Sequence, residues 1–196
     1  MVRAAFARCD RARDDVDRKL DPVPDELIEK LIWAAPRASN PGNTQGGEFV
    51  VVRDPDTKFA LRNAIAAGTA AMLRPSPEPL SEADRRMHQG AAHLVQGLDQ
   101  VPVLIAVCSR RIYSHDMYAW SAVYPASQNL CVAARALGLG TTFTTFQSMA
   151  EPEVRRILGI PDDVFIGTVI PVGWPERPFG PVRRKPIEQV IHRERW

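Results

Sequence analysis

The alternation of apolar and polar residues along the chain predicts strands separated by helices. The clearest apolar run, at 101–108, is nearly continuous in Val, Leu and Ile, as expected of a buried strand. Residues 165–173 predict a further strand. Shorter runs predict strands at 49–53 and 141–146. Residues 187–196 have the pattern of either a further strand or an arm.

Helical spacing of apolar residues predicts most of the remaining elements. Residues 21–26 open a helix, because Pro and acidic residues suit the free amide groups at the positive end of the helix dipole, and Pro36 ends it. After a turn at 54–56, the Ala-rich residues 57–73 form a second helix. Residues 151–158 form a short one.

The longest predicted helix spans 118–137 and is apolar on more than one side. Such a helix is expected to be buried on most sides, either within the core or against a second subunit. Gly138 then ends it, since glycine readily adopts the left-handed conformation that follows a helix. One face carries Val123, Ala126, Leu130, Ala133, Ala134 and Leu137.

A Pro-rich segment interrupts the helical pattern at about 74–80. Its prolines remove amide donors and fix φ, so no regular element is expected there. Ser81 followed by Asp84 predicts a capping box that starts another helix. The segment is either a lid on the substrate side of a site or an ordinary linker.

Helices and strands thus interleave without a regular βαβ rhythm and without an internal repeat. This order favours an α+β fold with a mixed sheet over a doubly wound parallel sheet. A length of 196 residues is that of one domain, which we expect to span 1–196 with the Pro-rich segment as an excursion.

Composition and charge narrow the possible partners and compartment. A net charge of +2 gives no reason to expect nucleic acid or an anionic membrane as a partner. Cys9, Cys108 and Cys131 have no metal-ligand spacing and favour a reducing compartment. No apolar run reaches the roughly 18 residues of a membrane span, and the N-terminus has no signal-like apolar region. We therefore expect a cytoplasmic protein.

The polar segment 37–46 is the most informative part of the chain for function. Pro41 and Gly42 predict a turn that holds a dense set of hydrogen-bonding side chains. Such a loop suits a planar, heteroatom-rich ligand, although a plain polar connection has a similar composition. The candidate binding residues are Ser39, Asn40, Asn43 and Gln45.

Other motifs fail as catalytic or metal sites. Gly138 and Gly140 are not a dinucleotide fingerprint, because they follow a helix and Phe143 replaces the third glycine. His88 and His93 are five residues apart, which is wrong for two metal ligands on one helix face. We therefore expect no catalytic side chain and no metal site from the protein.

Arginine residues near both ends of the chain could form a phosphate clamp, since guanidinium offers several donors and a full charge. Solvated surface charge is the alternative for any one of them. The candidates are Arg11, Arg13, Arg183 and Arg184.

Taken in order, these segments resemble the FMN-dependent nitroreductase family of flavin oxidoreductases over nearly the whole chain. The matching pieces are residues 22–28, the loop 37–45 running into 49–52, residues 125–130 with 133–140, 158–161 with 170–173, and 184–186. Each piece alone is weak, whereas their order and spacing together are specific.

The resemblance implies an α+β fold with a mixed, mainly antiparallel sheet flanked by helices, in an intertwined homodimer with FMN at the interface. It implies that arginines at both ends bind the phosphate and that the polar loop contacts the ring and ribityl chain. Further flavin contacts are expected partly from the other subunit, at Pro125, Ser127, Gln128, Thr144, Thr145 and Phe146.

The implied activity is a ping-pong transfer of two electrons from NADH or NADPH, through the flavin, to a nitroaromatic, quinone or similar acceptor. Alternatives are the oxidation of a specific biosynthetic intermediate and flavin binding without turnover. The chain departs from the family pattern at Gly47, where a Trp is frequent, and at Asp14, Asp15 and Asp17, near positions where relatives carry Arg.

Overall fold

The computed structural model of the chain describes residues 21–74, 80–176 and 184–196, where a four-stranded sheet lies between two layers of helices. All strand pairs are antiparallel, in the order β1-β2-β4-β3. The predicted α+β fold with a mainly antiparallel sheet is confirmed. The strands are β1 (Gly47–Val52), β2 (Val103–Arg110), β3 (Gly140–Thr141) and β4 (Val164–Gly173).

Five α-helices in the described residues surround this sheet, close to where helical spacing predicts them. They are α1 (Asp25–Ala34), α2 (Pro55–Thr69), α3 (Glu82–Gln96), α4 (Asp116–Ala136) and α5 (Glu151–Leu158). Short 3₁₀ turns lie at Ala35–Arg37, Pro41–Asn43, Leu98–Gln100, Phe146–Ala150 and Ile187–Gln189.

The central strand β2 faces a separate core on each side. Val103, Ile105 and Val107 pack with α1 and α4. The alternate residues of β2, among them Leu104 and Cys108, pack with α2, α3 and α5. Because successive side chains of a strand point to opposite faces, a continuous apolar run is required here rather than an alternating one. The prediction that this strand is buried is confirmed.

A β-bulge interrupts the pairing of β4 with β2. Val107 pairs with Thr168 and Cys108 with Ile166, which leaves Gly167 as the extra residue. A side chain at Gly167 would collide with Val123 of α4. The bulge therefore lets the central helix approach the sheet closely.

Several local predictions of helix ends are also confirmed. Ser81 and Asp84 form the capping box, in which Ser81 Oγ accepts from the Asp84 amide at 3.2 Å. Gly138 and Gly159 follow α4 and α5 with φ of 80° and 63°, the left-handed conformation that suits glycine.

The predicted turn at 54–56 is wrong, because these residues begin α2 instead. Asp54 accepts hydrogen bonds from the amide and hydroxyl of Thr57, at 2.7 and 2.6 Å, and Pro55 is the first residue of the helix. The helix also ends at Thr69 rather than at 73.

The predicted strand at 141–146 is wrong as well. Only Gly140 and Thr141 pair with β4, residues 142–145 are irregular, and Phe146 begins a 3₁₀ turn. A side-chain hydrogen bond replaces the backbone pairing of a strand here, because Thr168 Oγ1 donates to the Thr144 carbonyl at 2.5 Å. Residues 187–196 form no strand either and correspond to the arm. Residues 75–79 of the Pro-rich segment lie outside the described residues.

Candidate functional site

The polar loop between α1 and β1 is held in one shape by its own backbone and by Asn40. Gly42, Asn43 and Gln45 all have positive φ, of 60°, 51° and 51°. Asn40 Oδ1 accepts from the Gln45 amide at 3.0 Å and from Thr44 Oγ1 at 3.4 Å. Gly and Asn tolerate the left-handed conformation best, so Gly42 and Asn43 suit this turn, whereas Gln45 does not.

The side-chain amides of the loop have two different roles: one stabilises the loop itself, and the others are exposed to solvent. Asn40 is half-buried and its oxygen closes the loop. Ser39, Asn43 and Gln45 are exposed. Because the loop conformation is fixed, these three side chains are presented to a ligand with little loss of backbone entropy. All four remain predicted contacts.

Tyr113 lies against this loop and was missed by the sequence analysis. A Cβ atom at Gly42 would lie only 2.5 Å from the Tyr113 hydroxyl oxygen, so glycine permits the contact. The Tyr113 and Tyr118 rings are 4.8 Å apart, and both are partly exposed. The aromatic content of the segment after β2 was a visible signal, but its distance from the loop in sequence hid the contact.

Arg111 fixes the turn that carries Tyr113. Its Nε lies 2.9 Å from Asp116 Oδ1 at the start of α4, and its Nη1 donates to the Asp162 carbonyl at 2.6 Å. The turn is thus tied both to α4 and to the residues before β4. This anchoring places an aromatic side chain beside the exposed amides of the loop.

Helix α4 presents two of its predicted contacts outward and one inward. Pro125 and Gln128 are exposed. Ser127 is fully buried, and its Oγ donates to the Val123 carbonyl at 2.8 Å. The inward position follows from helical spacing, because Ser127 lies four residues after Val123 of the buried face.

The predicted contacts at 144–146 lie on a segment attached to β4. Thr144 is buried, Thr145 is exposed and Phe146 is half-buried. Gln147 was missed by the sequence analysis, although it is only 1% exposed and its Nε2 donates to the Gly167 carbonyl at 2.9 Å. The oxygen atoms Gln147 Oε1 and Thr142 Oγ1 are buried without a hydrogen-bond partner.

Of the four arginines predicted to bind the phosphate, the structure describes only Arg184. Arg184 is exposed and follows an undescribed stretch. Arg11, Arg13 and Arg183 lie outside the described residues.

The described cysteines are poor nucleophiles. Burial raises the pKa of the Cys108 thiol to about 12, and the nearby Glu48 carboxylate acts in the same direction. Burial also raises the pKa of the Cys131 thiol, against the effect of a hydrogen bond with Thr141. Since thiolates are the reactive form, neither thiol is activated.

The described ranges contain neither a cluster of metal ligands nor a membrane-spanning helix. No His, Cys, Asp or Glu residues of these ranges cluster in a way that could hold a metal ion. None of the helices they contain is long and apolar enough to cross a membrane.

Comparison with known proteins identifies the family. The model of the nitroreductase family matches residues 18–174. The chain belongs to this family. It is therefore a nitroreductase-family flavin oxidoreductase by descent, and the fold described above is the fold of that family.

The chain is similar to proteins that are named for different activities. An NADH dehydrogenase of Thermus thermophilus is 29% identical over 87% of this chain and 86% of its own length. The 5,6-dimethylbenzimidazole synthase of Rhodospirillum rubrum is 26% identical, over 88% and 83%. A structure of iodotyrosine deiodinase bound to FMN and 3-iodo-L-tyrosine superposes with a TM-score of 0.72 and 20% identity, over 93% and 98%.

Proposed function

We propose that the protein is a homodimeric, FMN-dependent oxidoreductase. It passes two electrons from NADH or NADPH to a nitroaromatic compound, a quinone or a similar electron-poor acceptor. The observation that carries the proposal is the rigid polar loop with exposed Ser39, Asn43 and Gln45, in a chain of the nitroreductase family.

The outer face of α4 supports the homodimer. Trp120, Tyr124 and Val132 of this helix are 48%, 36% and 57% exposed, while its opposite face is buried on the sheet. Charged residues occur in the helix only at Asp116 and Arg135, close to its two ends. An apolar face of this length is typical of a protein–protein interface.

The positions of the predicted contacts also support two subunits at one site. The polar loop precedes β1 at one edge of the sheet, whereas Thr144–Phe146 follow β3 at the other edge. Strands β2 and β4 lie between, so the edges are about 14 Å apart at the usual strand spacing. A dimer across α4 would bring the loop of one subunit to the opposite edge of the other.

The residues present fit FMN. Exposed amide and hydroxyl groups of the loop match the heteroatoms along the edge of the ring system. Arg184, together with Arg11, Arg13 and Arg183, would bind the phosphate. The partnerless oxygens of Thr142 and Gln147 flank the segment that carries the remaining predicted contacts.

When bound, FMN supplies the two-electron redox chemistry. The chain's own residues bind and orient the ring, and the aromatic side chains near Tyr113 limit access of water. A polar acceptor can take its proton from solvent, so no general acid is required of the protein. Nicotinamide and acceptor would occupy the same space in turn, which gives a ping-pong cycle.

The test starts from protein incubated with FMN and then desalted. We expect the flavin absorption band to remain with a dimeric species, to bleach within seconds on anaerobic addition of NADH or NADPH, and to return with a nitroaromatic compound or quinone. Protein that retains no flavin would contradict the proposal. Retained flavin that neither nicotinamide bleaches would favour flavin binding without turnover.

A second candidate is the oxidation of a specific biosynthetic intermediate with oxygen. The similarity to a 5,6-dimethylbenzimidazole synthase favours it. Under this alternative, the bound intermediate would lose two electrons without any nicotinamide, and oxygen would be the final electron acceptor, whereas nitroaromatic compounds would not restore the band faster than oxygen does. Stopped-flow traces with each oxidant separate the two candidates.

A further inference from the structure

The segment that follows β3 is fastened to the bulge of β4 by side chains rather than by a strand ladder. Thr168 Oγ1 donates to the Thr144 carbonyl at 2.5 Å, and Gln147 Nε2 donates to the Gly167 carbonyl at 2.9 Å. A third bond lies within the segment, from the Phe146 amide to Thr144 Oγ1 at 3.2 Å. Side-chain bonds thus fix residues 144–147 at both ends.

Both fastening side chains are deeply buried. Thr168 is fully buried and Gln147 is 1% exposed. A buried polar atom that has no hydrogen-bond partner is costly. Gln147 Oε1 is such an atom, so an apolar residue of similar size would remove one unsatisfied group from the core.

The hydrogen bonds of Thr168 and Gln147 join the segment to a part of β4 that is tightly packed. Gly167 lies against Val123 of α4 with no room for a side chain, so α4 packs tightly on the bulge. On the far side of the segment, a Cβ atom at Gly68 of α2 would lie 2.5 Å from the Met149 carbonyl oxygen. The segment thus lies between α2 and the sheet. The hydrogen bonds of Gln147 and Thr168 fix its position along β4.

We infer that Gln147 and Thr168 are positioning residues for the cofactor: they hold Thr144–Phe146 in the position at which this segment contacts FMN. The inference rests on the proposed function, since it assumes that the flavin meets this segment. Neither residue touches the flavin itself. Each acts through the backbone of the segment, by fixing the carbonyl of Thr144 and the start of the 3₁₀ turn at Phe146–Ala150.

The experiment compares two buried threonines whose hydroxyl groups bond to different parts of the chain. Thr168→Val and Thr69→Val both remove a buried hydroxyl that donates to a backbone carbonyl, but Thr69 donates to Ile65 within α2, at 2.7 Å. Fluorescence titration gives the dissociation constant for FMN, thermal unfolding gives stability, and the visible spectrum reports the surroundings of the bound flavin.

We expect Thr168→Val to raise the dissociation constant for FMN about tenfold, as for the loss of one hydrogen bond, and to shift the visible band of the bound flavin. Thr168→Ser, which keeps the hydroxyl, should restore both values. Thr69→Val should lower thermal stability to a similar degree without changing either flavin property. Gln147→Met should weaken FMN binding with little loss of stability, because it also removes the partnerless oxygen.

The outcomes distinguish this inference from the proposed function. If the unaltered protein binds FMN and Thr168→Val binds it equally well, the positioning role is wrong while the proposed function stands. If Thr69→Val weakens FMN binding as much as Thr168→Val does, the weaker binding reflects general destabilisation, and the inference is also overturned. If the unaltered protein binds no FMN, the proposed function itself fails.

Discussion

Helices α4 and α5 pack on opposite faces of the same sheet, yet their outer faces differ. The outer face of α5 carries the exposed pair of Arg156 and Glu153, 2.6 Å apart. Arg155 is largely buried, where it pairs with Glu151 at 2.7 Å and donates to the Val164 carbonyl at 3.0 Å. The outer face of α4 instead carries the exposed apolar side chains of Trp120, Tyr124 and Val132, with uncharged polar residues such as Gln128 between them. Each helix buries its inner face in a separate core.

In our proposal, the difference means that the helical layer containing α5 needs no further partner, whereas the layer containing α4 does. The charges of α5 are satisfied by water, by each other and, for Arg155, by the backbone carbonyl of Val164. Helix α4 has exposed apolar side chains and no charged residue between Asp116 and Arg135, so we expect a partner for its outer face. In our proposal that partner is α4 of a second copy of the chain, and the flavin binds where the two copies meet.

The largest expected effect comes from placing a charge on the outer face of α4. Val132→Glu would bury an unpaired carboxylate in the proposed dimer, at a cost of about 3 kcal/mol or more, which is over a hundredfold in the dissociation constant. Sedimentation velocity should show dissociation into monomers, with loss of FMN.

The matched control for that change is Met87→Glu on α3, an exposed apolar residue in the opposite helical layer. It should leave the dimer and FMN binding intact. A Val132→Glu protein that remains dimeric with bound flavin would show that the outer face of α4 is not the interface.

The next effect concerns the inner face of α4. Gly167→Ala would place a methyl group against Val123, and such overpacking typically costs about 1–3 kcal/mol. Gly47→Ala in β1 is the matched change, because a Cβ atom there meets nothing within 4 Å. Chemical denaturation should show a lower free energy of unfolding for Gly167→Ala only. Similar values for both variants would mean that α4 does not rest on the bulge.

Gly167 also illustrates what sequence alone can predict. An isolated glycine in an apolar strand signals a bulge or a close approach, and the sequence contains that signal. The buried position of Ser127 follows equally from its spacing to Val123. The strands β2 and β4 and helix α4 were predictable because long apolar runs and helical periodicity depend on local order in the chain.

The rest could not be predicted because it depends on contacts between distant residues. The Thr-rich residues after Gly140 suggest a strand, but Thr168 and Gln147 hold the segment in an irregular form. The chemistry of the polar loop was visible in the sequence. Which of its amides faces inward was not, since Asn40 is turned by the backbone of a loop with three left-handed residues.

A smaller effect is expected from the thiol on the α5 side of the sheet. The pKa of Cys108 is about 12 in the folded protein against an ordinary value of 9.0, so the folded state keeps a proton that the unfolded chain loses. Stability should therefore fall as pH rises from about 9 towards 12, by about 1 kcal/mol between pH 9 and 10 from this group. Urea denaturation at both pH values should show a shallower decline for Cys108→Ala. Equal declines would contradict the assignment.

The smallest effect is expected on the outer face of α5. A hydrogen bond from Arg156 lowers the pKa of the Glu153 carboxyl, which is exposed. The pair stabilises the helix above the ordinary pKa of 4.5 and loses this effect as pH falls through the lowered value. Because water and salt screen exposed pairs, Glu153→Gln should lower the melting temperature at pH 7 by no more than about 1 °C, and not at all in 1 M salt. A larger loss, or one accompanied by dissociation of the dimer, would mean that the outer face of α5 has a partner too, and that the contrast with α4 is wrong.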